Sequence, residues 1–235
     1  MAAWFRFKGV LSTDLGVYVT EYPPAMVPEE RAEFKPVPGR SGELTLLEGE
    51  CVYEDLILSI GCFVHDLSRL DEIAVWLRGA GDLILGNDEG KCYRARAVNQ
   101  IELKTIVRAR QARTFDAVLR CKPFKYEANP DRYRLTVPTT LTNEGTLPAA
   151  PKIIIQGTGS VTLTVGNRTV ALDGLAGAVT IDCEVMSAYH TGDPESRVEI
   201  TLADRDWPEL PTGDTKISWT GDVRTVTVEP GWRWL

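Results

Sequence analysis

Residues 152–165 read KIIIQGTGSVTLTV, and this stretch decides the fold class. It predicts two short β-strands, over residues 152–156 and 161–165, with a glycine-rich connection between them. In the second strand valine and leucine alternate with threonine, which places the apolar side chains on one face of a pleated strand. The stretch therefore indicates a β-structure with one buried face.

The pattern continues to the C-terminus. Further short strands are predicted at residues 179–183, 197–202, 216–220 and 223–228, joined by turns rich in glycine and aspartate such as 220–223. Strands that recur every 8–18 residues with turn signals between them are typical of a β-sandwich. Prolines bracket a polar segment around residues 138–151 and punctuate strands, so a domain boundary is expected there. We therefore predict a β-sandwich over residues 138–235.

The preceding part, residues 1–137, is predicted to be a β-rich domain with one helix, which makes the whole chain mainly β. Residues 22–42 hold five prolines and are expected to form an extended arm or a long loop. The strands are predicted at residues 4–7, 17–19, 43–47, 53–64, 99–108 and 113–121, with a hairpin that turns at 87–90. The helix is predicted over residues 65–79, with Asp66 or Ser68 as N-cap, Gly79 as stop, and Leu67, Leu70, Ile73, Ala74 and Leu77 on one face.

Composition excludes several function classes. The chain has 235 residues, a formal net charge of −7 and 43% hydrophobic residues, which are ordinary values for a globular protein. No apolar run approaches the ~20 residues of a membrane-spanning helix, and the N-terminus lacks a signal-peptide pattern, so a cytoplasmic site of synthesis is expected. Five cysteines without a CxxC pair indicate reduced thiols, and two histidines argue against a histidine-rich metal site. We expect no metal and no cofactor.

Charge is distributed unevenly along the chain. Residues 1–90 carry 7 basic and 16 acidic side chains, residues 91–134 carry 12 and 4, and residues 135–235 carry 7 and 13. The basic block has no recognisable nucleic-acid motif. Blocks of opposite sign can pair across a subunit interface, and we favour this interpretation over nucleic-acid binding.

Three constellations suggest other functions. Asp182 and Glu184 lie two residues apart on a predicted strand, where paired carboxylates could serve a retaining glycoside hydrolase; a solvated outer face is the alternative interpretation. Cys62 and His65 could pair as nucleophile and base, but the apolar parity of the strand favours a buried, inert thiol. A sugar-binding face would need several tryptophans exposed together, and the candidates are Trp207, Trp219, Trp232 and Trp234.

The order of short motifs along the chain resembles the distal tail protein (Dit) family of long-tailed bacteriophages, the siphovirus tail components. The N-terminal motifs are FRFKG at 5–9, STDLGV at 12–17, VPGRSG at 37–42, IAVWLRG at 73–79 and CKPFKY at 121–126. The C-terminal motifs are NEGT at 143–146, PKIIIQG at 151–157, VTID at 179–182 and PGWRW at 230–234. Each motif is weak alone, but together they cover essentially the full chain in order.

The resemblance implies a structural virion protein without enzymatic activity. In that family an N-terminal domain forms a hexameric ring at the end of the tail tube, and a C-terminal galectin-like β-sandwich points outward. The ring joins the tail tube protein to the tail-tip hub or tail-associated lysin, and it gives a channel for the tape-measure protein and for DNA ejection. The implied location is the virion tail tip, assembled in the cytoplasm of the host bacterium. Neither sequence-specific nucleic-acid binding nor membrane insertion is expected.

A homo-hexameric ring requires contact surfaces on each subunit. The candidate interface residues are Phe5, Phe7, Pro38, Gly39, Arg40, Arg108, Arg110, Arg113, Phe124, Tyr126, Trp232 and Trp234. Arg40 is either a contact to an acidic partner or a solvated loop residue. Three alternatives remain open at this point: a carbohydrate-binding adsorption module of a phage or phage-like particle, a glycoside hydrolase, and a tail-derived bacteriocin of the same architecture.

Overall fold

The computed structural model describes residues 3–47, 49, 51–97, 104–105 and 113–235. The chain divides between Ala128 and Asn129 into two compact units, each with its own buried core. This division precedes the predicted boundary after residue 137, because the short strand Tyr133–Leu135 pairs with a strand of the second unit. In the described residues no helix is long and apolar enough to cross a membrane.

The N-terminal unit is built on an antiparallel sheet with the strand order β2-β1-β7-β8-β10-β6-β3. Its elements are β1 (Phe5–Phe7), β2 (Val10–Leu11), a 3₁₀ turn (Ser12–Leu15), β3 (Val17–Glu21), β4 (Ala32–Pro36), β5 (Glu43–Leu47), β6 (Leu56–Val64), a second 3₁₀ turn (Leu67–Arg69), α1 (Leu70–Trp76), β7 (Ala80–Leu85), β8 (Lys91–Ala97), β9 (Lys104–Thr105) and β10 (Arg113–Glu127). β6 shows the predicted period of two, because its even-numbered residues are buried and its odd-numbered residues are exposed or partly buried. Most of the strand predicted over residues 99–108 lies outside the described residues.

The helix differs from the prediction in length and in its buried face. α1 has seven residues, because the chain before it forms a 3₁₀ turn. Ile73, Trp76 and Leu77 are buried, whereas Ala74 is exposed, so the prediction that Ala74 faces the core is wrong. Trp76 takes the inward position, since residues i, i+3 and i+4 share one helical face. The chain after the helix turns at Gly79, whose φ is 82°, as the stop signal predicted.

The segment expected to be an extended arm or a loop contains regular structure. β4 and β5 pair with each other as a two-stranded antiparallel sheet, in which Ala32 lies opposite Leu47 and Pro36 opposite Glu43. The turn between them contains Gly39 and Gly42, both with positive φ. The prolines that argued against a strand are compatible with it, because each strand of a two-stranded sheet has an edge that needs no amide donor.

The C-terminal unit is one sheet with the order β11-β17-β13-β14-β15, to which β12 and β16 add at β17 and β14. The strands of this sheet are β11 (Tyr133–Leu135), β12 (Thr139–Asn143), β13 (Lys152–Val165), β14 (Arg168–Asp182), β15 (Ser187–His190), β16 (Thr201–Leu202) and β17 (Gly213–Glu229). The short strand β18 (Arg233–Trp234) also lies in this unit, but it is not part of this sheet. The short strands predicted at 152–156 and 161–165 are one long strand, and so are those at 216–220 and 223–228. The predicted turn at 220–223 is therefore wrong.

Glycines bend these long strands where turns were expected. The pairing register of β13 with β14 shifts between Gly159 and Val161, which is the effect of a β-bulge. A Cβ atom on Gly157 would lie 2.3 Å from the carbonyl oxygen of Asp222, so only glycine allows this close approach. Inward side chains from both halves of β13 belong to one core cluster. The sheet therefore curls over a shared core, and the mainly β fold class is confirmed.

Candidate assembly surfaces

Two predicted interface residues at the N-terminus belong to the core of their own unit. Phe5 and Phe7 are completely buried. The ring of Trp76 stacks on Phe5 with centroids 5.2 Å apart and meets Phe7 edge-on at 6.4 Å. The indole Nε1–H of Trp76 donates a hydrogen bond to the carbonyl oxygen of Phe7 at 3.0 Å. These two phenylalanines therefore hold the helix on the sheet, and their side chains are covered by their own unit.

Pro38, Gly39 and Arg40 lie exposed at the turn of the β4–β5 hairpin. The backbone N–H of Arg40 donates to the carbonyl oxygen of Val37 at 3.2 Å, which closes the turn. Gly39 has a φ of 78°, a left-handed conformation that favours glycine. The structure thus presents Arg40 to solvent at the turn of the hairpin.

Sequence reasoning missed the apolar side chains of this hairpin. Its largest exposed apolar residues are Phe34, Val37, Leu44, Leu46 and Leu47. Phe34 is 57% exposed and Leu47 is 59% exposed, although both residue types are usually buried. Leucines inside a proline-bracketed segment were the signal that could have indicated an exposed apolar surface. We call residues 29–54, the hairpin with its base, the arm.

The base of the arm is fixed to the N-terminal unit. Nε of Arg31 lies 2.9 Å from a carboxylate oxygen of Glu54, and Glu30 forms a β-bridge with Tyr53. The ring of Tyr53 meets Phe124 edge-on, with centroids 5.7 Å apart. Phe124, a predicted interface residue, is therefore covered mainly by its own chain.

The predicted interface residue Tyr126 is also covered by its own chain. Tyr126 is 9% exposed, and the guanidinium of Arg94 lies over its ring at 4.1 Å from the centroid. Such cation–π contacts hold an arginine on an aromatic face. Tyr126 thus positions a cation at the surface of β8.

Part of the basic block forms a surface on the sheet. Of the predicted arginines, Arg108 and Arg110 lie outside the described residues, and Arg113 is half-buried at the start of β10. Four other cations are exposed on β8 and β10, and Ile57 of β6 is exposed beside them. We call this set the cationic face; it consists of Ile57, Arg94, Arg96, Arg120 and Lys122. Sequence reasoning included these cations in the basic block but did not single them out.

The tryptophans of the C-terminal unit do not share an exposed face. Trp232, a predicted interface residue, is 2% exposed in the single chain and packs in the core of its unit. Trp207, Trp219 and Trp234 are half-buried and pack against that core. Trp207 also lines an open cleft of about 330 Å³ with Arg168 and other polar residues.

The carboxylate pair considered for glycoside hydrolysis is separated by the local structure. β14 ends at Asp182, so Glu184 lies in the following turn and not on the same strand. The carboxylate of Asp182 is nearly buried and lies 3.0 Å from Nζ of Lys152. Burial alone would lower the pKa of Lys152, but the hydrogen bond and charge of Asp182 outweigh burial and leave it raised. Asp182 therefore serves as the partner of a structural ion pair.

The thiol of Cys62 is buried, as the strand parity predicted. Burial raises its pKa to about 12, so the thiol is protonated at neutral pH and is a poor nucleophile. Its Sγ lies 3.3 Å from the carbonyl oxygen of Ile60. His65 is exposed at the end of the same segment. The described residues contain no group of three or more His, Cys, Asp and Glu side chains that could hold a metal ion.

These features define a class of fold: two β-units on one chain, with an exposed apolar hairpin and a cationic sheet face on the first. A solved structure with this fold over its full length is the crystal structure of the SPP1 Dit (gp 19.1) protein. It matches with a TM-score of 0.76 and 15% sequence identity, covering 100% of both chains. SPP1 Dit is described as a paradigm of the hub adsorption apparatus in phages that infect Gram-positive bacteria. No protein-family model and no curated protein matches the chain.

The resemblance predicted from sequence motifs is therefore confirmed at the level of the fold. At this identity the match rests on backbone geometry, since different side chains fill the same architecture.

Proposed function

We propose that the protein is a distal tail protein that assembles as a hexameric ring and forms the hub at the tip of a phage tail. The observation that carries this proposal is the correspondence of the complete chain, both units included, with a phage hub protein. A match confined to one unit would support only a common β-domain. A match of both units in sequence order supports a common architecture and a structural role.

The exposed arm supports self-assembly. An isolated two-stranded hairpin is marginally stable in water, and it is stabilised when an apolar face is covered. The arm of this chain leaves Phe34, Leu44, Leu46 and Leu47 exposed. They lie on both faces of the hairpin, because the strand register puts Phe34 and Leu47 on one face and Leu44 and Leu46 on the other. Large apolar side chains exposed together on one element mark an interaction site. Assembly of several copies would cover it.

The proposed ring has two neighbours along the tail. One is the tail tube protein, and the other is the tail-tip hub protein or tail-associated lysin. The tape-measure protein and then the DNA pass through its channel during ejection, without sequence-specific contacts. The protein therefore acts mechanically at the virion tail tip after assembly in the host cytoplasm.

The arm can be tested with a triple variant. Phe34→Ser, Leu44→Ser and Leu46→Ser together should convert the assembled protein to monomer, because they remove apolar surface that assembly buries. Size-exclusion chromatography with light scattering measures the mass directly. The matched control is Val185→Ser with Met186→Ser, which removes exposed apolar surface from the C-terminal unit and should leave the mass unchanged. A triple variant with the wild-type mass would contradict the role of the arm.

A second candidate function is glycan binding by the C-terminal unit, favoured by the cleft beside Trp207. An aromatic ring with neighbouring charged groups is suited to sugars, whose apolar faces stack and whose hydroxyls accept and donate hydrogen bonds. Glycan-array binding by the full chain that is lost in Trp207→Ala would support this function. Equal signals from both proteins, or none from either, would argue against it.

A further inference from the structure

Two arginines face each other on neighbouring strands of the cationic face. Arg96 of β8 lies directly opposite Arg120 of β10, and both are exposed. Like charges directly opposite in an antiparallel pair destabilise the sheet. Asp55 offsets part of the charge, because its carboxylate lies 3.2 Å from Nε of Arg120 and 3.6 Å from Nζ of Lys122. A second carboxylate, that of Asp82 on β7, lies at the position opposite Arg94. Two carboxylates beside four cations leave net positive charge, and such a surface is suited to an acidic partner.

An apolar side chain accompanies these cations. Ile57 of β6 lies directly opposite Arg120 on its other side and is 55% exposed. The row Arg96, Arg120 and Ile57 therefore crosses three adjacent strands. A partner that fits this row would present carboxylates next to apolar side chains.

The arm has that composition. Residues 29–54 contain seven acidic and three basic side chains. Two of the three basic side chains are engaged within the arm, because Arg31 pairs with Glu54 and Nζ of Lys35 lies 3.1 Å from Glu33. The arm therefore combines net negative charge with the exposed leucines of β5.

We infer that the arm of one copy docks on the cationic face of the next copy, and this inference rests on the ring assembly proposed above. The occupant is a second copy of this chain, because each copy carries both complementary surfaces. Two different mating surfaces on one subunit form a heterologous contact, and such a contact repeated around an axis closes into a ring. The neighbour's carboxylates then offset the repulsion between Arg96 and Arg120.

Charge reversal on each surface tests this pairing. Arg96→Glu with Arg120→Glu reverses the cationic face, and Glu29→Lys, Glu30→Lys and Glu43→Lys reverse the arm. Each set alone should raise the protein concentration at which half of the subunits are assembled by at least about 10-fold, because like charges across an interface repel each other. The two sets combined in one chain should restore assembly. The matched control is Arg134→Glu with Arg224→Glu, two exposed arginines of the C-terminal unit.

The readout is the mass by light scattering across a dilution series, with thermal unfolding as a check on folding. Assembly that is lost in each single set, regained in the combination and kept in the control supports the inference. Assembly that persists in both reversed sets overturns the inference about the arm and the cationic face. The ring proposal still stands in that case, because the wild type and both variants keep the mass of the assembled protein. A wild type that never assembles overturns both. If Arg96→Glu with Arg120→Glu lowers the melting temperature, Arg96→Gln with Arg120→Gln replaces it. The inference is then tested with this neutral variant and with the reversed arm.

Discussion

Replacing Trp76 by alanine should remove a large part of the stability of the N-terminal unit. The side chain is 6% exposed, stacks on Phe5 and meets Phe7 edge-on. Truncation leaves a cavity between helix and sheet, and it removes the hydrogen bond to the carbonyl oxygen of Phe7. The helix has only seven residues, so it depends on this packing and not on its own propensity.

The magnitude follows from these contacts. A buried Trp→Ala truncation costs about 3–5 kcal/mol, and a buried carbonyl left without its donor costs about 1–3 kcal/mol. Since water entering the cavity recovers part of the second cost, we expect a loss of about 4–6 kcal/mol in the free energy of unfolding. Trp76→Phe keeps an aromatic ring against Phe5 and loses the donor, so its expected cost is about 1–3 kcal/mol. Typical domains have about 5–15 kcal/mol in total.

Hydrogen exchange measured by mass spectrometry on peptides of β6 and β10 gives this free energy for the N-terminal unit alone. These paired core strands exchange through opening of the unit. Val75→Ala is the matched control, because Val75 lies on the same helix and is 66% exposed; it should change stability by less than about 0.5 kcal/mol. A Trp76→Ala protein within about 1 kcal/mol of wild type would refute the reasoning. So would a Trp76→Phe protein as stable as wild type, since the hydrogen bond would then contribute nothing.

Three further predictions concern packing and protonation. Gly157→Ala should destabilise the C-terminal unit by about 1–3 kcal/mol in thermal unfolding, because the new Cβ meets the Asp222 carbonyl oxygen at 2.3 Å. Gly90→Ala in the N-terminal unit, where a Cβ meets nothing within 4 Å, should leave the stability of that unit unchanged. Equal losses in the two variants, each measured on its own unit, would contradict the argument. Iodoacetamide at pH 8 should modify only the exposed Cys51 in the native protein. Burial raises the pKa of Cys62, Cys121 and Cys183 to about 12 and that of Cys92 to about 11, so these four thiols stay protonated and covered. The intact mass counts the adducts, and fast labelling of several cysteines would contradict their burial. Because these folded-state pKa values lie above the 9.0 of a free thiol, their stabilising contribution is complete below about pH 9 and is lost as the pH rises toward 12. Asp182→Asn should cost about 1–2 kcal/mol, because it breaks a half-buried ion pair with Lys152; an unchanged melting temperature would show that the pair contributes nothing.

Alternation of apolar and polar residues was sufficient to predict most strands and the fold class. It was not sufficient to predict strand length, because Gly157 and Gly159 have the same sequence signature in a turn and in a bent strand. Only the packing against β17 determines which of the two forms. In the arm, the strand predicted over residues 43–47 is confirmed as β5, but β4 and its pairing with β5 were missed. All residues of β4 after Ala32 are exposed, so no period of two marks this strand.

The assembly surfaces were predictable only in part. The charge blocks indicated opposite surfaces, but the pairing of Arg96 with Arg120 depends on the register between β8 and β10, which the sequence does not state. Phe5 and Phe7 were assigned to an interface, although residues two apart on a strand share a face and that face is the core. For Phe5 and Phe7 the period of two along the strand predicts burial in the core, and the structure shows that burial.

Electron microscopy of the purified full-length protein in negative stain tests the central claim most directly. The proposed distal tail ring predicts class averages with six-fold symmetry around an open centre, and the proposed pairing of arm and cationic face predicts that these rings are closed. Particles that remain single subunits at concentrations well above those of a tail-assembly protein in the cell, or closed two-fold dimers, would contradict the account.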